Sequence, residues 1–178
     1  MTDHFHWLIR TLHWLMAIAV FAMLCIGAAM VSSVAGSHSW LTGLHRPLGM
    51  LILLLALLRL AVRLMTRQPG LPPDMPRLQQ RAAQASHILL YSLMIILPLV
   101  GWATLSAGGY PLILAGEVQL PPLLEKSNTL YALLRPAHRW LAYTLLLLIL
   151  AHLAAALFHA LIRQDGVLQS MLPGRAKK

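Results

Sequence analysis

The sequence predicts an all-α integral membrane protein, an up-and-down bundle of four helices with both termini on the cytoplasmic side. Composition is the first reason: 58% of the residues are hydrophobic and 11% are charged, whereas soluble domains average about 25% charged residues. The second reason is that residues 11–45 and 82–116 contain no Asp, Glu, Lys or Arg. Each run exceeds the roughly 20 residues that a membrane-spanning helix needs.

The four spans follow one another along a single membrane domain. We place them at residues 11–31, 45–65, 83–105 and 138–162. The second carries Arg59 and Arg63 near its end, while residues 141–162 of the fourth again lack Asp, Glu, Lys and Arg. A secretory signal is an alternative interpretation of the N-terminus, because residues 33–35 resemble a cleavage site. The apolar core at 14–31 is longer than the about 7–15 residues of such a signal, which favours a span.

The distribution of Lys and Arg predicts the orientation. The loop at 66–82 is rich in Pro and Arg, and a second basic cluster follows the fourth span. The positive-inside rule makes both cytoplasmic, so the loop at 106–137 is periplasmic and the protein is a multi-pass protein of the bacterial inner membrane. This topology and anionic lipid account for the net charge of +9, and no nucleic-acid-binding motif accompanies it.

Histidines are the most informative residues of the chain. Five of the nine lie within or at the ends of apolar runs, where an ionisable side chain is costly: His13, His45, His87, His138 and His152. The last two are 14 residues apart, close to four helical turns, so they share one helix face about 21 Å apart. The same 14-residue step on the other spans joins His13 to Gly27, His45 to Arg59, and His87 to Gly101.

These positions form two levels across the bundle. The outer level holds His45, His138, Gly27 and Gly101, and the inner level holds His13, His87, His152 and Arg59. Two flat cofactors fit this pattern, because two imidazoles complete a low-spin haem and glycine lets a macrocycle approach a helix. Zinc prefers four converging ligands. For any single histidine, a hydrogen-bonded packing role stays open. Arg59 is either a topology residue or a partner of haem propionates.

Other redox and enzyme chemistry finds no support in the sequence. Cys25 is the single cysteine, and no Cys-x-x-Cys-His motif is present, which excludes covalent attachment of c-type haem. Metalloprotease, phosphate-loop and serine-hydrolase motifs are also absent. We therefore predict no catalytic residue in the sense of bond-making chemistry.

Almost the whole chain resembles the bacterial cytochrome b561 family of small di-haem membrane cytochromes. The resemblance depends on the order and spacing of short motifs: HWL at 13–15, H-x-x-L-G at 45–49, H-x-x-x-Y at 87–91, LPLVG at 97–101, His138, the stretch 152–159, Asp165 and MLP at 171–173. It implies a bundle with two haem b groups, each bound by two histidines. It also implies electron transfer between ubiquinone or another membrane quinone and a second redox partner.

Mapped onto this chain, the resemblance assigns His45 and His138 to the outer haem. The inner haem needs His152 and either His13 or His87; the family pattern favours His13. His87 then becomes a contact of a quinone or a propionate, and for His159 a quinone contact and an ordinary interfacial role remain equal alternatives. We expect residues 123–134 to form a short interfacial helix at the periplasmic side.

The second redox partner stays open at this point. Periplasmic superoxide, with quinone as electron acceptor, is one candidate. Arg46, Arg135 and Arg139 near the outer level would attract such a small anion; an ordinary role as span-end anchors is an equal alternative. A haem-bearing anchor subunit of a dehydrogenase or hydrogenase is the alternative. A histidine-based metal or proton transporter is disfavoured, because such proteins usually carry intramembrane carboxylates and no Asp or Glu lies within a predicted span.

Overall fold

The structure, a computed structural model, describes residues 5–33, 36–66, 70, 75–114 and 118–172 of the 178-residue chain. The elements follow in this order: α1 Trp7–Ser32, α2 Gly36–Met65, α3 Arg77–Gly108, β1 Leu112–Leu114, β2 Val118–Leu120, α4 Asn128–Phe158, a π-helical turn His159–Arg163, and α5 Val167–Met171.

Four of these helices are long and apolar enough to cross a membrane: α1, α2, α3 and α4 together with the π-helical turn. The predicted membrane bundle of four helices is confirmed. Each predicted span lies inside one of these helices, and the helices extend beyond the spans. Of the predicted loop at 66–82, residues 67–69 and 71–74 lie outside the described residues, and α3 already begins at Arg77.

The helices pack as two hairpins. α1 packs on α2, α3 packs on α4, and α2 packs on α3. The buried core between them contains Met16, Val20, Ile52, Ala56, Leu90, Tyr91, Leu93, Met94, Leu97 and Leu145. Large apolar side chains also cover the outside, as Phe21 at 70% and Leu147 at 67% exposure illustrate. An apolar exterior of this kind is stable in lipid, where tails solvate it as well as a core would.

The connection between α3 and α4 differs from expectation in two ways. Strands β1 and β2 form a small antiparallel hairpin. Each strand has three residues, which is too short for an alternation of apolar and polar residues to predict it. The predicted interfacial helix at 123–134 is wrong. Residues 123–127 are not helical, and the helix that begins at Asn128 is the start of α4. The Oγ of Ser127 accepts a hydrogen bond from the N–H of Leu130, and this N-cap stabilises the early helix start.

The C-terminal helix α5 folds back onto α1. Trp14 donates from Nε1 to the carbonyl of Met171 at 3.0 Å. Arg10 donates from Nη1 to the carbonyl of Leu172 at 2.8 Å. The N–H of Phe5 also donates to the carbonyl of Ser170. These bonds tie the predicted cytoplasmic end of α1 to the segment that follows α4.

Candidate cofactor site

The outer pair of histidines bridges the two hairpins. His45 comes from α2 and His138 from α4, and their ring centroids lie 6.2 Å apart with the planes inclined by 68°. Among the described residues, Nδ1 of each ring is buried without a hydrogen-bond partner. Such an orphaned group costs about 1–3 kcal/mol. The two rings thus lie beside each other at one depth, and each keeps a buried nitrogen that has no partner among the described residues.

Two glycines lie against this outer pair. A Cβ atom on Gly27 would stand 3.8 Å from Cε1 of His45, an ordinary contact. On Gly101 it would stand 3.1 Å from Cε1 and 3.4 Å from Nδ1 of His138, so the ring would have to move. The structure thus brings Gly27, His45, Gly101 and His138 together at one depth, and a side chain on Gly101 would displace the ring of His138 by a few tenths of an ångström.

The inner cluster has three imidazoles. His152 of α4 lies between His13 of α1, at 6.3 Å and 81°, and His87 of α3, at 5.6 Å and 65°, measured between ring centroids and ring planes. Both neighbours that the sequence left open as partners of His152 are therefore next to it. The outer and inner clusters stand on the same face of α4, as their spacing predicts.

Two imidazoles that bind the same metal from opposite sides have a characteristic distance between their ring centroids. An imidazole nitrogen binds a first-row metal at about 2.0–2.1 Å and the ring centroid lies roughly 1.1 Å further, so two rings on opposite sides of one metal have centroids about 6.2–6.4 Å apart. His45 with His138 and His13 with His152 match this separation; His87 with His152 is shorter. In the described part of the chain, no three His, Cys, Asp or Glu side chains form a metal-binding group. Each of these two pairs therefore has the separation expected for two imidazoles that bind one metal.

Two guanidinium groups lie close to the inner cluster. The Cζ atoms of Arg59 and Arg63 stand 5.3 and 5.4 Å from the ring centroid of Tyr91, a cation–π arrangement. Within the described structure, Nε of Arg59 is buried and lacks a hydrogen-bond partner. No span contains a carboxylate, so no side chain within the spans offers Arg59 a counter-charge. A haem propionate has the required charge and geometry for a guanidinium.

His159 lies apart from the inner cluster, toward the predicted cytoplasmic end. Its Nδ1 is 2.6 Å from Oδ2 of Asp165, and Nε of Arg163 is 3.5 Å from the same oxygen. The N–H of Val167 donates to Oδ1. Burial alone would raise the pKa of Asp165, but the hydrogen bonds from His159 and Val167 and the charges of His159 and Arg163 lower it below its ordinary value.

Sequence reasoning missed two contributors to these sites. In the sequence, Tyr91 stands out only as part of a motif, yet its ring makes cation–π contacts with both guanidiniums. The i, i+4 spacing of Arg59 and Arg63 puts both side chains on one helix face. This spacing is the feature of the sequence that indicates a common partner for the two guanidiniums. Asp165 was likewise only a motif residue. The turn that returns it to His159 runs through Gln164, whose positive φ of 52° the sequence did not indicate.

Comparisons with known proteins agree with this geometry. Residues 4–174 match the family model described as prokaryotic cytochrome b561. The chain is 30% identical over 162 residues to cytochrome b561 homolog 2 of Escherichia coli strain K12, which covers 90% of this chain and 86% of the relative. Homolog 1 of the same organism is 32% identical over 131 residues, 74% of each chain. A probable superoxide oxidase CybB of Yersinia pestis is 28% identical over 163 residues, 91% of this chain and 92% of the relative.

Proposed function

Because the chain belongs to the prokaryotic cytochrome b561 family, we propose that it is a di-haem cytochrome that passes electrons between the membrane quinone pool and a second redox partner. The family makes it a haem-binding electron-transport protein of the bacterial inner membrane. The observation that supports two haems is the pair of imidazole separations, 6.2 and 6.3 Å, at two depths of the bundle.

Each proposed haem is held across the two hairpins. His45 and His138 bind the outer one, and His13 and His152 bind the inner one. His13 is preferred to His87 because its distance to His152 fits axial ligation and that of His87 is too short. When bound, each haem supplies a reversible one-electron couple at its iron. Held by two imidazoles, each haem would serve electron transfer, and the role of the protein would be to hold the group and tune its potential.

The remaining residues of the site adjust its surroundings. Gly27 and Gly101 leave space beside the outer imidazoles. Arg59 places a buried positive charge near the inner pair, which favours the reduced, less positive iron and so raises its potential. It also offers a guanidinium to a propionate. His87 then lies free of the iron, beside His152, as a contact of a propionate or of the quinone.

Superoxide is the electron donor that we propose for the periplasmic side. The similarity to a probable superoxide oxidase supports it. Arg46 follows His45 directly and donates from Nη1 to the carbonyl of Pro111 at 3.4 Å; its Nε is buried without a partner in the described residues. Arg135 and Arg139 lie exposed on α4. Positive charge at this end attracts a small anion. Two superoxide ions, one quinone and two protons then give two O₂ and one quinol.

Haem content tests the ligand assignment. A dithionite-reduced minus oxidised spectrum with pyridine-haemochrome quantitation should give two b-type haems per chain in detergent-purified protein. His45→Ala or His138→Ala should remove one haem, and His152→Ala the other. His38→Ala, an exposed histidine outside both clusters, is the matched control and should keep two. Two haems in the His152 variant would contradict the assignment. If protein made under haem-replete conditions contains no haem, the haem assignment is refuted and the histidines have a transport or packing role.

The donor is tested separately. Superoxide generated enzymatically should drive quinol formation by the purified protein, and added superoxide dismutase should stop it. The rate should fall with ionic strength, because salt screens the attraction. Arg46→Gln should lower the rate constant, whereas Arg77→Gln at the opposite end should leave it unchanged. Quinol formation insensitive to dismutase would refute superoxide as the donor without affecting the haem assignment.

A further inference from the structure

A cavity of about 420 Å³ lies at the end of the bundle where α3 ends and α4 begins. Its volume is within the range of about 300–1,000 Å³ that is usual for small-molecule sites, and none of the groups proposed above binds there. We propose that this cavity binds the headgroup of a zwitterionic phospholipid, with the phosphate at Lys126 and a primary ammonium at Glu125. The apolar wall consists of Trp102, Tyr110, Leu112, Leu120, Pro122 and Leu124.

The position and the wall of the cavity suit the border between lipid and water. Both α3 and α4 are long and apolar enough to cross a membrane, so the end that they share lies at a membrane surface. Trp102 and Tyr110 are amphipathic aromatic residues, which concentrate at such surfaces. The indole N–H of Trp102 donates to the carbonyl of Pro121 at 3.1 Å, and Tyr110 is 53% exposed. An occupant therefore has both lipid chains and water within reach.

Two side chains of opposite charge, Glu125 and Lys126, line the cavity and are exposed. Within the described ranges, neither side chain forms a hydrogen bond or an ion pair, with the other or with a third group. Both charges are thus available to a ligand. A ligand with one anionic and one cationic group satisfies both of them at once.

The side chain of Lys126 is held in place by packing. A Cβ atom on Gly109, the residue that ends α3, would stand 3.2 Å from Cδ of Lys126, so the lysine stem lies over this glycine. The carbonyls of the last turn of α3 already accept from backbone N–H groups, which makes Lys126 unnecessary as a helix cap. These bonds run to Leu105 from Tyr110, to Ser106 from Gly109, and to Ala107 from Ser127. The ammonium of Lys126 is left for a bound anion.

The two charges select one class of headgroup. Lys126 attracts the phosphate of any phospholipid. Glu125 repels a headgroup with a net negative charge, and it accepts hydrogen bonds from a primary ammonium that a trimethylammonium group cannot donate. The apolar wall favours a molecule with acyl chains over a free phosphate compound. Phosphatidylethanolamine therefore fits the cavity better than phosphatidylcholine or phosphatidylglycerol.

The cavity also adjoins the outer histidine pair. Trp102 follows Gly101, whose Cβ position lies against the ring of His138. Pro111, which also lines the cavity, accepts at its carbonyl from Nη1 of Arg46 at 3.4 Å. An occupant of the cavity thus contacts two segments that are tied to the outer pair.

Native mass spectrometry of the detergent-purified, haem-loaded protein measures the preference. Titration with phosphatidylethanolamine, phosphatidylcholine and phosphatidylglycerol of identical acyl chains gives an apparent Kd for the first lipid that binds. O-phosphoethanolamine, the same headgroup without chains, tests a free molecule as the ligand. The variants are Lys126→Gln, Lys126→Arg and Glu125→Lys. The matched control is Arg77→Gln, which removes an exposed cation at the opposite end of α3.

Native protein should bind phosphatidylethanolamine about fivefold more tightly than the other two lipids, which is the upper end for exposed ion pairs. O-phosphoethanolamine should bind more weakly than the whole lipid. Lys126→Gln should weaken binding of phosphatidylethanolamine about fivefold, whereas Lys126→Arg and Arg77→Gln should keep the native Kd. Glu125→Lys should change the preference to phosphatidylglycerol, because two cations then face the headgroup.

Equal Kd values for the three lipids in native protein would overturn the proposal. A native Kd in Lys126→Gln, or equal weakening in Arg77→Gln, would overturn it as well. O-phosphoethanolamine that binds as tightly as the whole lipid would rule out a lipid site. If Lys126→Gln does not fold, Glu125→Lys decides through the change of preference. None of these results depends on haem ligation or on the electron donor, so the proposed function is tested independently.

Discussion

Replacing Gly101 by alanine is the sharpest structural test of the outer site. The new Cβ would stand 3.1 Å from Cε1 of His138, whereas carbon atoms are most stable about 3.5–4.0 Å apart. The ring must therefore move by roughly half an ångström relative to His45. Because His138 makes one of the proposed iron bonds, this displacement acts directly on ligation.

The expected size of the effect follows from the cost of overpacking. An inserted methyl group in a packed site costs about 1–3 kcal/mol. At about 1.4 kcal/mol per factor of ten, this corresponds to roughly 5- to 150-fold weaker haem binding at the outer site. The inner haem should bind normally, since His13 and His152 lie about four helical turns away.

Haemin titration of the apoprotein, followed by absorbance and by haem per chain, measures this loss. Gly43→Ala is the matched control, because a Cβ there meets nothing within 4 Å. It makes the same substitution in a helix and should leave both affinities unchanged. Two haems bound with native affinity in Gly101→Ala would refute the reasoning that His138 is held in place for ligation. Equal loss of both haems would show a general folding defect instead.

Three further predictions concern the inner ligand, the carboxylate of Asp165, and the contact between α1 and α5. His13→Ala should lose one haem while His87→Ala keeps two by haemochrome quantitation; the reverse result would exchange their roles. Asp165 has a lowered pKa, so its stabilisation is present above the ordinary value of 3.8 and is lost as pH falls toward the folded value. Thermal unfolding of Asp165→Asn should therefore be easier than that of native protein at neutral pH, with a difference that shrinks below pH 3.8; a pH-independent difference would contradict this. Trp14→Phe removes one hydrogen bond to α5 and should cost about 1 kcal/mol, seen as a lower midpoint of thermal unfolding; an unchanged midpoint would count against that contact.

The membrane bundle was predictable because its causes are local. Uncharged runs of sufficient length specify spanning helices wherever they occur. The β1–β2 hairpin was not predictable, since its strands have three residues each and β1 packs on α2 and α3. The early start of α4 depends on a single cap, Ser127, that hydropathy does not register.

The two histidine levels also combine features that the local sequence predicts with features that only tertiary contacts set. The 14-residue spacing of His138 and His152 determined their common face, because helix geometry is the same in any context. By itself the sequence determined the membrane fold, the two levels and the residue types available at each. Only the tertiary structure decided that His13 and His87 both flank His152 at different distances, that Tyr91 lies under two guanidiniums, and that Asp165 returns to His159. These contacts join residues on different helices or across a turn, and helix packing and a left-handed backbone conformation, rather than any sequence period, set their distances.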